Sequence, residues 1–343
     1  MGTKREIKVV VPPEGEGIRV DRWLCETLEG LVYTRSHLQK LMGDQLVLIN
    51  GTPCKPNQKL KSQDEIHLQL DDTPASTLVP IPMELDILYE DASLLVLNKP
   101  AGISVHPGAG TPMPSLLAGV LAHVGKMEVE QMDPQRPGVV HRLDKDTTGV
   151  LVFAKTLQAL QSLSKQFHDK TNERTYVALL DGLLPVSSTV CESYLHRDPH
   201  HRLKFASISR ADLELRYQKS DIPQAYRWAK SLFTPLQYFG HSFTYAQVKL
   251  HTGRTHQIRV HAQTLGHPVV GDPLYQQRKR MYPTTFPHEV RGALGGVSRQ
   301  MLHAASLIFT HPVTQDRMSF AAPIPADFQQ LLSQLAPFAR KVV

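Results

Sequence analysis

Asp144 stands in the densest polar run of the chain, Pro137-Gly138-Val139-Val140-His141-Arg142-Leu143-Asp144-Lys145-Asp146-Thr147-Thr148-Gly149-Val150-Leu151-Val152. Apolar stretches on both sides predict strands leading into and out of the cluster. A plain charged hairpin would read similarly, because loops rich in Asp, Lys and Thr are usually just solvated. Rigid elements on both flanks favour a site, since they hold reactive groups in place. A carboxylate there is a candidate nucleophile. Asp144-Lys145-Asp146-Thr147-Thr148 also fits D-x-D-x-T, the pattern of magnesium-dependent phosphotransferases that form an aspartyl phosphate. In that class the first Asp ends an uninterrupted apolar strand near the chain start. Here His141 and Arg142 interrupt the approach and about 140 residues precede it.

The other reactive side chains point away from metals and cofactors. His141, His256, His261 and His303 have no carboxylate or cysteine recurring at ligand spacing, and His256 and His261 lie five apart, off a common helical face. Cys25, Cys54 and Cys191 show no C-x-x-C spacing, which predicts neither a zinc knuckle nor a disulfide framework and fits a reducing cytoplasm. There is no glycine-rich phosphate cradle or dinucleotide fingerprint, so no nucleotide cofactor is expected. With 38 Lys plus Arg against 32 Asp plus Glu, the net charge of +6 favours polyanionic partners. No apolar run reaches the roughly 18 to 20 residues of a membrane span, and the start carries no export or lipid signal.

These residues need two supports. Over residues 17–72, Val20, Trp23, Leu24 and Leu28 recur at helical spacing, as do Leu38 and Leu41 after Thr34, a good N-cap. Leu46 to Asn50-Gly51 predicts a strand and a tight turn, and Ile66 to Leu70 another strand. Residues 73–83, with Pro74, Pro80 and Pro82, predict a linker. Over residues 84–330, runs such as Leu94–Leu97, Val150–Ala154, Tyr176–Leu180 and Tyr245–Leu250 alternate with helices such as Leu157–Phe167. The fold class is therefore α+β with a mixed or antiparallel sheet.

The string His141-Arg142-Leu143-Asp144 with Thr147 and Gly149 resembles the catalytic motif of the RluA/RluD family of pseudouridine synthases. Further segments match that family in order: Leu95 to Gly102 with His106-Pro107-Gly108, Arg174 to Ala178, Thr252 to His261, Gly266 to Tyr275, and Leu302-His303-Ala304. Residues 17–70 resemble the αL-type RNA-binding domain that precedes the catalytic domain in the RluC and RluD branches. The resemblance implies isomerisation of uridine in structured RNA, with ribosomal RNA or a large-subunit precursor as partner and neither cofactor nor membrane involved.

It also implies roles. Asp144 is the nucleophile, Arg259 its ion-pair partner, and Tyr176 the ring that stacks on the uracil. Arg142 fills the gap left by an extruded base, a step that access to a base inside a helix requires. Arg254 contacts RNA phosphate through its planar fork. Lys99, Pro100, His141, Thr147, Gly149 and Ile258 shape the pocket. In the first domain Arg19, Arg22, Arg35 and Lys40 supply phosphate contacts, joined by Lys55, Lys59 and Lys61, provided that the domain's acids segregate onto another face. A non-catalytic RNA-binding assembly factor is the rival reading, and the retained Asp144, Arg142, Tyr176 and Arg259 speak against it.

Overall fold

The computed structural model describes residues 5–27, 35–70, 78–107, 114–125, 127, 136–217, 221–276 and 282–342. The first unit holds β1 (Arg5–Val10), α1 (Val20–Thr27), α2 (Arg35–Gly43), β2 (Val47–Ile49), β3 (Thr52–Pro53) and β4 (Glu65–Leu70). Its strands pair antiparallel in the order β1-β4-β2-β3. Ile66 and Leu68 of β4 are buried against Val20 and Leu24 of α1 and Leu38 of α2, which is why those apolar positions alternate in the strand and recur at helical spacing in the helices. Asn50 and Gly51 both have positive φ, at 50° and 78°, as a tight hairpin turn demands. The unit starts at Arg5, ahead of the expected residue 17, because β1 gains its partner only when β4 folds back from sixty residues away. Thr34, the expected cap of α2, and residues 71–77 of the expected linker lie outside the described residues.

The larger unit carries β5 (Ile87–Glu90), β6 (Leu94–Lys99), α3 (Leu116–Val124), β7 (Thr148–Ala154), α4 (Leu157–Asp169), β8 (Glu173–Asp181), β9 (Thr189–Arg197) and β10 (Phe205–Ile208). There follow α5 (Arg210–Arg216), β11 (Arg227–Phe239), β12 (Phe243–Leu250), α6 (Gln257–Thr264), α7 (His288–Gly295), β13 (Leu302–Thr310), β14 (Arg317–Ala321), α8 (Ala326–Leu335) and β15 (Ala339–Arg340). Eleven strands form one sheet in the order β10-β9-β11-β12-β8-β13-β7-β6-β5, with β14 on β13 and β15 on β11. Every pairing is antiparallel except β13 with β7, so the sheet is mixed.

The central strands read as unbroken apolar runs because both faces are covered. In β7, Leu151 and Phe153 enter one core while Val150, Val152 and Ala154 enter another, beneath Ala159 and Leu163 of α4. In β8, Tyr176, Ala178 and Leu180 face the first core, and Val177 and Leu179 pack with α7 and α8 on the opposite side. Residues 78–83, expected as linker, are strapped to this unit: Leu78 is buried in its core and the Ile81 amide donates to the Ala118 carbonyl at 3.0 Å. The unit also runs to Arg340, past the expected end at residue 330.

Candidate active site

Asp144 sits in a turn that opens onto the first core face. Residues 137–144 are not a strand, contrary to expectation: their one β-bridge to the sheet among the described residues joins Val139 to Phe153. A strand therefore leads out of Asp144 and none leads in, the reverse of the phosphotransferase arrangement. Four groups hold the turn. The Thr147 amide donates to the Asp144 carbonyl at 3.1 Å, and Gln300 Nε2 donates to Thr147 Oγ1 at 3.1 Å. Lys99 Nζ donates to the carbonyls of Lys145 (2.8 Å), Pro100 (2.7 Å) and Ile103 (2.8 Å). Arg299 Nη1 donates to the Asp146 carbonyl at 3.2 Å, while its Nε and Nη2 pair with Asp327 of α8 at 2.6 and 2.7 Å. Gly149, at φ 114°, follows directly; a Cβ there would lie 2.1 Å from the Ala304 carbonyl, so only glycine lets β13 run alongside β7 at this point.

The Asp144 carboxylate meets Arg259 Nη1 at 3.0 Å. Arg259 is the third residue of α6, which begins at Gln257, so Thr255 lies before the helix and Arg259 in its first turn. The opposite edge of its guanidinium is taken by Asp272, with Nε to Oδ2 at 2.6 Å and Nη2 to Oδ1 at 2.9 Å. The side chains of Arg259 and Asp272 are 5% and 0% exposed, against 18% for Asp144. Burial opposes the charge on Arg259, but the Asp272 hydrogen bonds and the two carboxylate charges outweigh it and hold its pKa above the ordinary arginine value. Asp272 thus fixes the cation and leaves Asp144 as the carboxylate that reaches open space.

The loop before α6 is set by Gln257. Its Oε1 accepts from Thr252 Oγ1 (2.8 Å) and the Arg254 amide (3.0 Å), and its Nε2 donates to the Lys230 carbonyl (3.0 Å) and Ser231 Oγ (2.9 Å) on β11. His256 shares a 2.8 Å bond with the Tyr275 hydroxyl, and the Arg259 guanidinium lies 5.1 Å from the Tyr275 ring centre.

Together these elements enclose a cavity of about 470 Å³. Asp144, Tyr176, Arg259, Arg142, Arg254, His141, Thr147 and Ile258 all line it. Lys99, Pro100 and Gly149 do not line it; they act from behind, through the contacts that shape the Asp144 turn. Burial raises the Tyr176 pKa, with Arg174 opposing and Asp144 adding, so its phenol stays protonated near neutral pH. His141 is pulled down to about 3 by burial and then by Arg174; it accepts from the Val152 amide at 3.1 Å and stacks on Phe167 at 4.5 Å. A neutral imidazole is what that geometry needs. Among the described residues no three His, Cys, Asp or Glu side chains gather as a metal would require.

In the first unit, Arg19 forks onto Asp21 at 3.1 and 3.0 Å, and Arg22 meets Glu26 at 2.8 Å. These acids interleave with the bases instead of segregating from them as expected. Lys55, Lys59 and Lys61 are exposed, and the side chains of Arg35 and Lys40 lie outside the described residues. Sequence reasoning assigned no role to Asp272, Arg174, Gln257, Arg299 or Gln300. Asp272 and Arg174 do stand in the segments Gly266 to Tyr275 and Arg174 to Ala178 that carry the resemblance.

A mixed sheet with a carboxylate presented to a basic cavity, behind a small helix-and-sheet unit, describes an RNA-modifying enzyme of two parts. The family described as RNA pseudouridylate synthase matches residues 93–264, and the S4 domain matches residues 18–66. Ribosomal large subunit pseudouridine synthase D of Neisseria meningitidis is 40% identical over 334 residues, covering 97% of this chain and 83% of that protein. The protein of that description from Pseudomonas aeruginosa is 36% identical over 325 residues, covering 95% and 94%. Among solved structures, Human RNA Pseudouridylate Synthase Domain Containing 1 aligns with a TM-score of 0.53 at 23% identity, over 76% of this chain and 90% of that one, a likeness of fold. The chain belongs to the RNA pseudouridine synthase family and carries an N-terminal S4 domain.

Proposed function

We propose that the cavity isomerises an extruded uridine of large-subunit ribosomal RNA, with Asp144 as nucleophile. The observation that carries this reading is the Asp144 carboxylate, open to a cavity and bound at 3.0 Å by a buried Arg259 that Asp272 locks in place. In the reaction the bond from uracil N1 to ribose C1′ breaks and a bond from C5 to C1′ forms. C5 loses a proton and N1 gains one, so substrate and product are isomers and no oxidant, reductant or cofactor enters the balance. Asp144 adds covalently to the nucleotide, and Arg259 keeps the carboxylate ionised until it does. Tyr176, two residues along β8 from Arg174 and facing the cavity, stacks on the uracil and can help carry off its ring proton. Arg142, exposed at the cavity rim, takes the place of the extruded base.

The S4 domain places the enzyme on its RNA through phosphate contacts, which carry register but no sequence information. The named relatives that act on the ribosomal large subunit support that substrate for this chain, and the free thiols Cys25, Cys54 and Cys191 fit a cytoplasmic setting. Pseudouridine mapping in large-subunit RNA with the wild type and with Asp144→Asn tests the reading. The variant is expected to lose turnover and to keep its RNA affinity; a variant that still produced pseudouridine would end the assignment.

A further inference from the structure

We infer that Arg174 is a phosphate anchor within the cavity, gripping the backbone phosphate of the nucleotide whose base enters it; this rests on the cavity being the uridine site. Arg174 leaves β8 on the cavity side, two residues before Tyr176. Its Nε is fully shielded and has no hydrogen-bond partner, and no carboxylate pairs with its guanidinium among the described residues. The guanidinium lies 5.4 Å from the Phe167 ring, the ring on which His141 also stacks. Burial lowers its pKa, and the Tyr176 phenol opposes that only weakly. Arg174 is half-buried with its Nε shielded, and a cation so placed without a partner is costly to keep unless an anionic ligand meets it.

The surroundings specify the geometry. A Cβ on Gly253 would lie 2.5 Å from Arg174 Nη1, so the bare backbone of Gly253 forms the wall against which the fork rests. Gly253 has no unusual backbone angle, so its glycine serves this close approach. Arg254, the next residue, is anchored by its Nε to the Trp228 carbonyl at 3.1 Å, and its pKa is lowered by burial, Arg227 and Arg174. Two forks therefore line one cavity with no carboxylate paired to either among the described residues, whereas Arg259 in the same lining is neutralised by Asp144 and Asp272. One end of the cavity is built for a reacting carboxylate and the other for a planar, bidentate grip on a phosphate.

The test measures dissociation constants of uridine, uridine 5′-monophosphate and uridine 3′-monophosphate for the full chain by NMR titration. Wild type, Arg174→Met, Arg174→Lys and Gly253→Ala are compared. One of the two monophosphates should bind the wild type about tenfold tighter than uridine does, the range of a charge-assisted hydrogen bond. Arg174→Met should erase that gain and leave uridine itself unaffected, and Arg174→Lys should restore part of it. Gly253→Ala should behave like Arg174→Met, because its methyl displaces only the far end of a flexible side chain. The inference is overturned if the wild type shows no gain from either phosphate, if Arg174→Met keeps the gain, or if it weakens uridine equally, which would make Arg174 a support of the base pocket. An Asp144→Asn variant that stayed active would instead undo the nucleophile assignment and leave the phosphate gain standing.

Discussion

Two buried cations grip the Asp144 turn, one at its side chain and one at its backbone, and meet the same electrostatic difficulty in different ways. Arg259 is compensated by charge: Asp272 takes two of its N–H groups and Asp144 a third. Lys99 hydrogen-bonds to dipoles only, its ammonium ringed by three backbone carbonyls at 2.7 to 2.8 Å, and feels the Asp146 and Asp144 charges from a distance. Burial pulls Lys99 down to about 7, with Asp146 and Asp144 opposing, while Arg259 is held above its ordinary value. The contrast separates two tasks. On the proposed reading, a cation bonded to the Asp144 carboxylate controls chemistry, and a cation bonded to carbonyls controls the path of the chain that presents it.

The largest effect should come from breaking the charged side. Arg259→Met strips the partner from Asp272, whose side chain is wholly buried, and an uncompensated buried charge costs about 3 to 5 kcal/mol. Turnover should fall by at least about 100-fold, as when a preorganised electrostatic partner is lost. Thermal unfolding and single-turnover rates measured together check both; a stable, active Arg259→Met would show that the ion pair is incidental. Next comes Asp272→Asn. The amide keeps an oxygen for the Leu274 and Tyr275 amides, which Oδ1 now accepts at 2.9 and 3.1 Å, but turns an N–H donor toward the guanidinium. Arg259 should lose its fixed orientation, lowering kcat by roughly tenfold to 100-fold, the scale of misplacing a catalytic group, with KM unchanged. A fall in affinity without a fall in kcat would assign Asp272 to substrate binding.

How far this contrast could be read in the sequence depends on how local its parts are. Asp144, Arg142 and Thr147 belong to one uninterrupted string, and Arg259 stands out beside it through the resemblance. Asp272, Gln300 and Arg299 reach the site only when β13 and the segment after α6 fold back, 128 or more positions from Asp144; Asp272 stands in a segment that carries the resemblance, but nothing in the immediate neighbours of Arg299 and Gln300 marks them. Lys99 shows the opposite failure. Its motif placed it at the site, but a lysine at a strand end gives no hint that its ammonium turns inward to carbonyls. For the fold, β6, β7, β8, β12 and α4 were legible as apolar runs or as a clean helical period. β1 was not, because its identity as a strand comes from β4 and the alternation in Ile7 and Val9 is too short to stand alone. The broken approach to Asp144 was misread for the same reason: Val139 and Val140 have strand propensity, yet only Val139 finds a partner.

The smallest effect belongs to the dipole side, and its pH dependence decides whether the two cations really differ. Lys99→Met leaves the carbonyls of Pro100, Ile103 and Lys145 without their donor, which should cost about 1 to 3 kcal/mol and slow turnover less than either change at Arg259 or Asp272. In the unfolded chain the lysine titrates near its ordinary 10.5, in the folded protein near about 7. Between those values the unfolded chain binds the extra proton, so the stability of the wild type rises with pH across that window and is at its lowest contribution below it. Lys99→Met has no such group. Denaturant unfolding of both proteins from pH 6 to pH 9 should therefore show the wild type gaining on the variant above about pH 7, by no more than about 1.4 kcal/mol per pH unit. The three acceptors match the three N–H bonds of an ammonium and work against loss of the proton. If they prevail, the difference between the two proteins will be flat over the whole range. Lys99 would then hold its charge as firmly as Arg259 does, with carbonyl dipoles sufficing where Arg259 uses two carboxylates.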